Sequence, residues 1–194
     1  MKKNMKEFIS FFIAGFLSGI ISMYMINIKF VGCLLIGILW GFLFVMQFQV
    51  GKEKETPLSV KRFFKGCMLF INGSAIYGSI EVAFRGRTHI SMLICGGLCF
   101  VLIGLINELV TMSIVSQMLI SSLIITGLEF VTGCIVNLWL HLDVWDYSNQ
   151  AYNLLGQICL LFSNLWFLLS LVGIVIDDMI RHKLFNESYP KYYL

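Results

Sequence analysis

The chain has 194 residues, of which 58% are hydrophobic and 13% are charged. Soluble domains average about 45–50% apolar and about 25% charged residues, so this chain is too apolar for an ordinary globular core. With two prolines and a mean hydropathy of +0.85, the composition also excludes a disordered, collagen-like or nucleic-acid-coating protein. The composition predicts that the chain is surrounded by a lipid bilayer.

Apolar runs about as long as a membrane-spanning helix recur six times along the chain. The runs, which we number as spans one to six, are residues 8–26, 30–50, 66–84, 90–106, 118–140 and 154–176. The sequence therefore predicts an all-α, multi-pass membrane protein with six transmembrane helices.

The distribution of Lys and Arg predicts the orientation of these spans. Eleven of the 14 basic residues fall before span one, between spans two and three, or after span six, whereas Lys29, Arg85 and Arg87 fall on the alternate side. Because cytoplasmic loops carry the excess of positive charge, both termini are expected in the cytoplasm. The net charge of +3 is then a topology signal that requires no acidic partner.

A charged segment between spans two and three divides the predicted organisation. Residues 1–62 are expected to form a two-helix hairpin with a cytoplasmic linker, residues 63–180 a four-helix module, and residues 181–194 a cytoplasmic tail.

The two-helix hairpin contains glycines at four-residue spacing. Small residues at this spacing let helices pack closely, so helix packing is the simplest interpretation and a homo-oligomer is the alternative. The two pairs are Gly15 with Gly19, and Gly37 with Gly41.

Glu81 is the first charged residue predicted inside a span. A charged side chain near the bilayer centre costs about 3 kcal/mol, so it usually faces a partner, a cavity or a substrate. Tyr77, Glu81 and Arg85 recur at four-residue intervals and share one helix face. Two interpretations stay open, namely a structural Glu81–Arg85 ion pair and a polar path for a substrate or ion.

Glu129 lies in the middle of span five, with no basic residue within four positions on either side. A carboxyl at that depth is expected to be protonated unless a cation from another helix reaches it. Either state suits a path for a substrate or ion. Asn137 on the same face, with Gln157 and Asn164 of span six, would contribute to this path. In the structural alternative, Glu129 ties helices together through hydrogen bonds to Tyr77, Gln157 or Asn164.

The predicted outer loop between spans five and six is rich in polar and aromatic side chains. Trp and Tyr are typical of the membrane interface, so an aromatic anchor is the simplest interpretation. Together with Arg85 and His89 from the other outer loop, the residues of this loop could instead form a polar site that faces outside. They are His141, Asp143, Trp145, Asp146, Tyr147 and Ser148.

Neither a metal nor another cofactor is expected. The six cysteines lie within or at the edge of apolar runs, where free cysteine behaves as a small hydrophobe. Cys95 and Cys99 would share a helix face, but no second Cys or His pair at ligand spacing completes a site.

Several segments of the chain together form a recognisable pattern. They are Ile125-Thr-Gly-Leu-Glu129-Phe-Val-Thr-Gly133, Val144-Trp-Asp-Tyr-Ser148, Asn153-Leu-Leu-Gly156-Gln-Ile-Cys159 and Trp166, with Tyr77-Gly-Ser-Ile-Glu81 and Arg85-Gly-Arg-Thr-His89 upstream. This pattern resembles the ABC-transporter permease family labelled type IV. The resemblance covers about residues 66–183. It implies a permease-like protein, and we expect its location to be a bacterial cytoplasmic membrane. It also implies a separate ATPase subunit, because this chain has no Gly-x-x-x-x-Gly-Lys-Ser/Thr motif.

Three functions fit these observations. The first is a small permease-like or transporter-associated subunit with a polar intramembrane site around Glu81 and Glu129. The second is a membrane-embedded enzyme that acts on a lipid head group. Its acid and base groups would come from residues gathered at the outer interface, which are Glu129, His89, His141, Asp143 and Asp146. The third is a non-catalytic membrane partner or regulator whose polar residues only specify packing. Bilayer lipids are expected partners in each, and nucleic acid is not.

Overall fold

The computed structural model describes residues 58–188, 192 and 193, and these residues are mostly helical. Spans one and two, with Gly15, Gly19, Gly37 and Gly41, lie outside the described residues. The helices are α1 (Leu58–Arg85), α2 (Ile90–Leu109), α3 (Ile114–Gly133) and α4 (Leu160–Phe185). A π-helix, Cys134–Trp139, continues directly from α3. The antiparallel strands β1 (Asn153–Leu154) and β2 (Ile158–Cys159) precede α4.

Two helical segments of the described part are long and apolar enough to cross a membrane. They are Ile114–Trp139, which joins α3 to the π-helix, and Leu160–Phe185. A shorter apolar helix covers Ile90–Ile106. The prediction of a mostly helical protein is therefore confirmed for the described residues. By length and composition, the segments that correspond to spans five and six are candidates to cross a membrane.

The start and end of α4 differ from those of predicted span six. The apolar residues 154–159, expected in the helix, form the β-hairpin instead, because Leu155 and Gly156 have left-handed φ angles of 52° and 70° that a helix cannot contain. At the other end α4 continues to Phe185, so the first residues of the predicted tail are helical. Asn186, at φ 55°, ends the helix, and its N–H bonds to the Arg181 carbonyl.

Side-chain caps define the starts of α2 and α3. The Nδ1 atom of His89 accepts a hydrogen bond from the Ser91 N–H, and Oγ of Ser113 accepts one from the Ser116 N–H. Each cap satisfies an N–H group that has no partner within its own helix. His89, predicted as an outer-site residue, is therefore observed as a helix cap.

The described residues belong to two compact units. One contains residues 58–68 and 78–88, and the other contains residues 69–77, 89–188, 192 and 193. Apolar side chains of α2, α3 and α4 form the main core of the second unit. They are Cys95, Cys99, Ile103, Met118, Ile125, Trp166 and Ile174.

Candidate functional site

Glu129 is almost fully buried in the second unit, with 2% of its surface exposed. Its Oε2 atom accepts a hydrogen bond of 2.7 Å from the indole N–H of Trp166 in α4. Its Oε1 atom accepts one of 3.1 Å from the hydroxyl of Tyr147, which lies between the π-helix and α4. The carboxyl of Glu129 therefore links α3 both to α4 and to the segment that connects them.

Aromatic rings surround the two donors of this carboxyl. The ring of Tyr77 packs against that of Trp166 with centroids 5.8 Å apart, and the ring of Tyr147 stacks on Phe162 at 4.6 Å. Tyr77 is one of the three residues that the structural alternative offers as partners of Glu129, and its ring packs beside the Trp166 donor. Packing of this kind limits the rotation of both donors, so their N–H and O–H groups stay directed at the carboxyl.

Asn137 and Gln157 meet in a second buried network. Asn137 Nδ2 donates to Gln157 Oε1 at 2.8 Å, and Asn137 Oδ1 accepts from the Val144 N–H at 2.8 Å. The Gln157 carbonyl accepts the indole N–H of Trp145 at 2.9 Å, and Gln157 Nε2 donates to the Leu155 carbonyl at 2.8 Å. Each amide thus makes hydrogen bonds that fix the backbone around the β-hairpin.

The π-helix places Asn137 in this network. Its wider turn is shown by the hydrogen bond from the Leu140 N–H to the Ile135 carbonyl, five residues back. Glu129, Gly133, Asn137 and His141 recur at four-residue intervals, a spacing that predicts one continuous stripe on an α-helix. The stripe ends at the π-helix, because His141 follows it as an exposed residue with a left-handed φ of 54°.

We call residues 140–159 the connecting loop, and its centre is held by side-chain to backbone hydrogen bonds. Asp146 Oδ1 accepts from the Ser148 N–H at 2.8 Å and from the Ser148 hydroxyl at 2.5 Å. Asn153 Nδ2 donates to the carbonyls of Ser148 and Gln150, and Asn153 Oδ1 accepts from the Gly156 N–H. The hydrogen bonds of these short polar side chains take the place of the backbone hydrogen bonds that a longer pair of strands would form.

Hydrogen bonding also changes the acidity of Asp146, which is fully exposed. The Ser148 hydroxyl, and then the Ser148 N–H, lower the pKa of Asp146 below its ordinary value because both donate to the ionised carboxylate. Asp146 is therefore an ionised structural acceptor at neutral pH, bonded to its neighbour two residues along the chain.

The backbone of the connecting loop is unusual for its composition. Four of its residues other than glycine have positive φ angles, a conformation that persists only where surrounding contacts enforce it. They are His141, Asp143, Tyr152 and Leu155. The hydrogen bonds of Asp146, Asn137 and Asn153 supply such contacts. They therefore hold the connecting loop in one conformation.

The remaining predicted residues occupy separate places. Arg85 Nη1 lies 3.0 Å from Glu81 Oε1, an ion pair within the first compact unit. Asn164 is exposed on α4, and the α4 residue that bonds to Glu129 is Trp166. The sequence did contain a signal for Trp166, because an indole N–H inside an apolar helix requires an acceptor. Within the described residues no three His, Cys, Asp or Glu side chains are arranged to hold a metal ion.

Residues 42–193 match the model of the family described as "Putative ABC-transporter type IV". The chain belongs to this family. The match begins earlier than the resemblance read from the sequence and includes Glu129, Trp166 and the whole connecting loop. No curated protein and no solved structure matches the chain. Membership of the type IV family and the two apolar helical segments together indicate a membrane protein associated with ABC-type transport.

Proposed function

We propose that this type IV family member is a permease-like subunit of a transporter in a bacterial cytoplasmic membrane. In this proposal the chain has six spans with both termini in the cytoplasm, and it works with a separate ATPase. Family membership supports the association with transport. The six apolar runs and the uneven distribution of Lys and Arg support the topology. The missing phosphate-binding motif in this sequence is the reason for a second subunit.

The buried carboxyl of Glu129 is the observation that carries the proposal. Placing a charged group in an apolar helix costs about 3 kcal/mol, and here two donors compensate that cost. The Trp166 bond is 2.7 Å long, and the Tyr147 bond is longer at 3.1 Å. Shorter hydrogen bonds of good geometry are the stronger ones, so Tyr147 is the donor that exchanges more readily.

This difference suggests how the site works. A cationic or hydrogen-bonding substrate that reached Glu129 would compete with the Tyr147 hydroxyl, whereas Trp166 would keep the carboxyl in place. Loss of the Tyr147 bond would remove one of the contacts that hold the connecting loop to α3, next to those of the Asn137–Gln157 network. In this proposal the connecting loop closes the substrate path while no substrate is bound at Glu129, and it moves aside when a substrate binds there.

The other predicted path residues enter the proposal with distinct roles. Asn137 and Gln157 would hold the base of the connecting loop, and Tyr77 would support Trp166. Asn164, exposed on α4, would contribute only if a further helix covers that face. The Glu81–Arg85 ion pair would form a polar contact of its own, and His141, Trp145, Asp146 and Ser148 would shape the outer surface of the loop.

A non-catalytic membrane partner is the second candidate function. The hydrogen bonds of Glu129, Asn137 and Gln157 favour it, because each of these buried groups has a partner inside the bundle. In this alternative the polar groups specify how the helices pack, and no substrate competes for Glu129.

Affinity purification of the tagged full-length protein in mild detergent, with mass spectrometry of co-purifying proteins, tests the partner. We expect an ATPase to co-purify and its activity in nanodiscs to depend on the subunit. Glu129→Gln should keep the ATPase bound but change its activity. Co-purification without any effect of Glu129→Gln on ATPase activity would favour the non-catalytic partner. Absence of an ATPase would contradict the transporter proposal.

The role of the loop is tested in the same complex with Tyr147→Phe, which removes only the hydroxyl. Tyr152→Phe is the matched control, because Tyr152 is an 84% exposed tyrosine of the same loop. We expect Tyr147→Phe to raise basal ATPase activity by releasing the loop and Tyr152→Phe to leave it unchanged. Equal activities of the two variants would contradict the proposed exchange at Glu129.

A further inference from the structure

A second buried polar cluster lies where α2 ends and α4 approaches its C-terminal end. Arg181 Nε donates to Asp177 Oδ2 at 2.5 Å, and Arg181 Nη1 bonds to Glu108 Oε1. Glu187 Oε2 lies 3.6 Å from the same Nη1 atom. The neighbouring Asp178 accepts a hydrogen bond of 2.5 Å from the Tyr192 hydroxyl. In the predicted organisation Asp177 lies at the end of the four-helix module and Arg181 at the start of the cytoplasmic tail.

Asp177 is the centre of this cluster and has no exposed surface. One of its oxygens bonds to Arg181, but the other, Oδ1, is buried without a hydrogen-bond partner among the described residues. A Cβ atom added to Gly104 in α2 would lie 2.5 Å from both oxygens, so the backbone of α2 closes this side of the carboxyl. A buried carboxylate oxygen without a donor is costly, by about 1–3 kcal/mol or more.

Asp177 shares its cationic partner with two other carboxyl groups. The buried guanidinium of Arg181 contacts Asp177, Glu108 and Glu187. The next basic residues along α4, which are His182 and Lys183, are exposed, and His182 Nδ1 contacts the Glu187 carbonyl. Burial and neighbouring like charges both disfavour the ionised form of a carboxyl.

We infer that Asp177 is a proton-binding site. A proton from water forms an O–H bond at Oδ1, the buried oxygen without a donor, while Oδ2 stays bonded to Arg181. Proton uptake removes one negative charge from the cluster and involves no redox step or further reactant. A metal ion fits less well, because no three acidic, Cys or His groups of the described part could hold one.

The site is separate from Glu129. Asp177 follows Trp166 by 11 residues in α4, which corresponds to about 16 Å along the helix axis. Once Asp177 is neutral, Arg181 pairs with Glu108 on α2 and Glu187 beyond α4 without competition from a third carboxylate. Protonation therefore tightens the contact between α2 and α4 at this end of the bundle, whatever the transport function of the protein.

Thermal unfolding of the full-length protein in nanodiscs, followed between about pH 8 and about pH 5, tests the inference. A carboxyl that binds a proton more tightly in the folded state stabilises the fold as the pH falls. We expect the Tm of the wild type to rise on acidification and this rise to be at least halved in Asp177→Asn. Asp146→Asn, a matched change at an exposed position, should retain the full rise. Equal pH dependence in the wild type and Asp177→Asn would overturn the inference.

Infrared spectroscopy observes the proton directly in folded protein. The C=O stretch of a protonated carboxyl, recognised by its shift in D₂O, should be present at neutral pH in the wild type and in Asp146→Asn. It should lose intensity in Asp177→Asn. Glu108→Gln removes one competing negative charge, so the same band should appear at a lower pH than in the wild type. A band unchanged by both substitutions in the cluster would place the proton elsewhere and overturn the inference.

Discussion

Trp166 donates its indole N–H to Glu129 Oε2 over 2.7 Å, so a residue of α4 satisfies the single acidic group of α3. Both side chains are buried, with 8% and 2% of their surfaces exposed. The hydrogen bond lies beside the apolar core that α2, α3 and α4 share, and there water cannot replace a lost donor. This bond therefore has consequences for stability that can be measured without knowing the substrate.

Trp166→Phe should destabilise the protein by about 1–3 kcal/mol, because Glu129 Oε2 loses its donor inside the bundle. Denaturant unfolding in detergent, followed by the remaining tryptophans, measures the change. Trp139→Phe is the control, since Trp139 is 74% exposed. In a Glu129→Leu background the acceptor is absent, so the same Trp166→Phe change should cost less, with a coupling of about 0.5–3 kcal/mol. Additive effects would show that the hydrogen bond contributes nothing beyond packing.

Gly133→Ala should separate α3 from the connecting loop. The added Cβ would lie 2.6 Å from Gln157 Oε1 and 3.0 Å from Trp145 Cζ2, both of which belong to the buried network around Asn137. Overpacking of this kind costs about 1–3 kcal/mol. Thermal unfolding and limited proteolysis of the loop should both show the loss.

Gly127→Ala is the matched control on the same helix, because an added Cβ there meets no atom within 4 Å. Alanine is a better helix former than glycine by about 1 kcal/mol, so this variant should be neutral or more stable. If Gly133→Ala were as stable as Gly127→Ala, the close approach of Gln157 to α3 would be wrong.

These residues also show what can be predicted from the sequence. Hydrophobic runs predicted α2, α3 and most of α4, because helix length and apolar composition are local properties. They could not reveal the hairpin at residues 153–159, where an apolar segment takes left-handed backbone angles. The partners of Glu129 and the burial of Asp177 depend on side chains from other helices, and spacing along one helix carries no information about those contacts.

Ser148→Ala should raise the pKa of Asp146 toward the ordinary value of 3.8, since the Ser148 hydroxyl is the main cause of its lowering. A carboxyl whose pKa is lowered by folding stabilises the folded loop at pH values above its ordinary pKa. This stabilisation is lost as the pH falls through the pKa of the folded state. Carbon-13 NMR of Asp146, labelled and titrated in detergent, measures the pKa. Ser163→Ala, which removes a hydroxyl that donates to the Cys159 carbonyl, should leave the pKa of Asp146 unchanged. Equal pKa values in the wild type and Ser148→Ala would contradict this role of Ser148.

Gly156→Ala tests how tightly the connecting loop is built, and Gly86→Ala supplies the reference. Both glycines have positive φ angles, of 70° and 67°, so alanine at either position pays about 1–2 kcal/mol for the left-handed conformation. At Gly86 an added Cβ meets no atom within 4 Å, whereas at Gly156 it would lie 2.5 Å from Ser148 Oγ and 2.7 Å from Asp146 Oδ1. Only Gly156→Ala should therefore also break the Asp146–Ser148 contact.

We expect Gly156→Ala to lower the Tm more than Gly86→Ala and to increase hydrogen exchange at the Ser148 N–H, which Asp146 protects. Both variants bear the same free-energy cost of placing alanine in a left-handed backbone conformation. The additional decrease in Tm of Gly156→Ala therefore measures the packing of the connecting loop. Shortening the side chain in Ser148→Ala should relieve part of the clash, so the double variant should recover stability relative to the sum of the two single changes. Equal decreases in Tm for Gly156→Ala and Gly86→Ala would mean that the connecting loop relaxes around the new methyl group. That result would contradict the fixed loop conformation that the hydrogen bonds indicate.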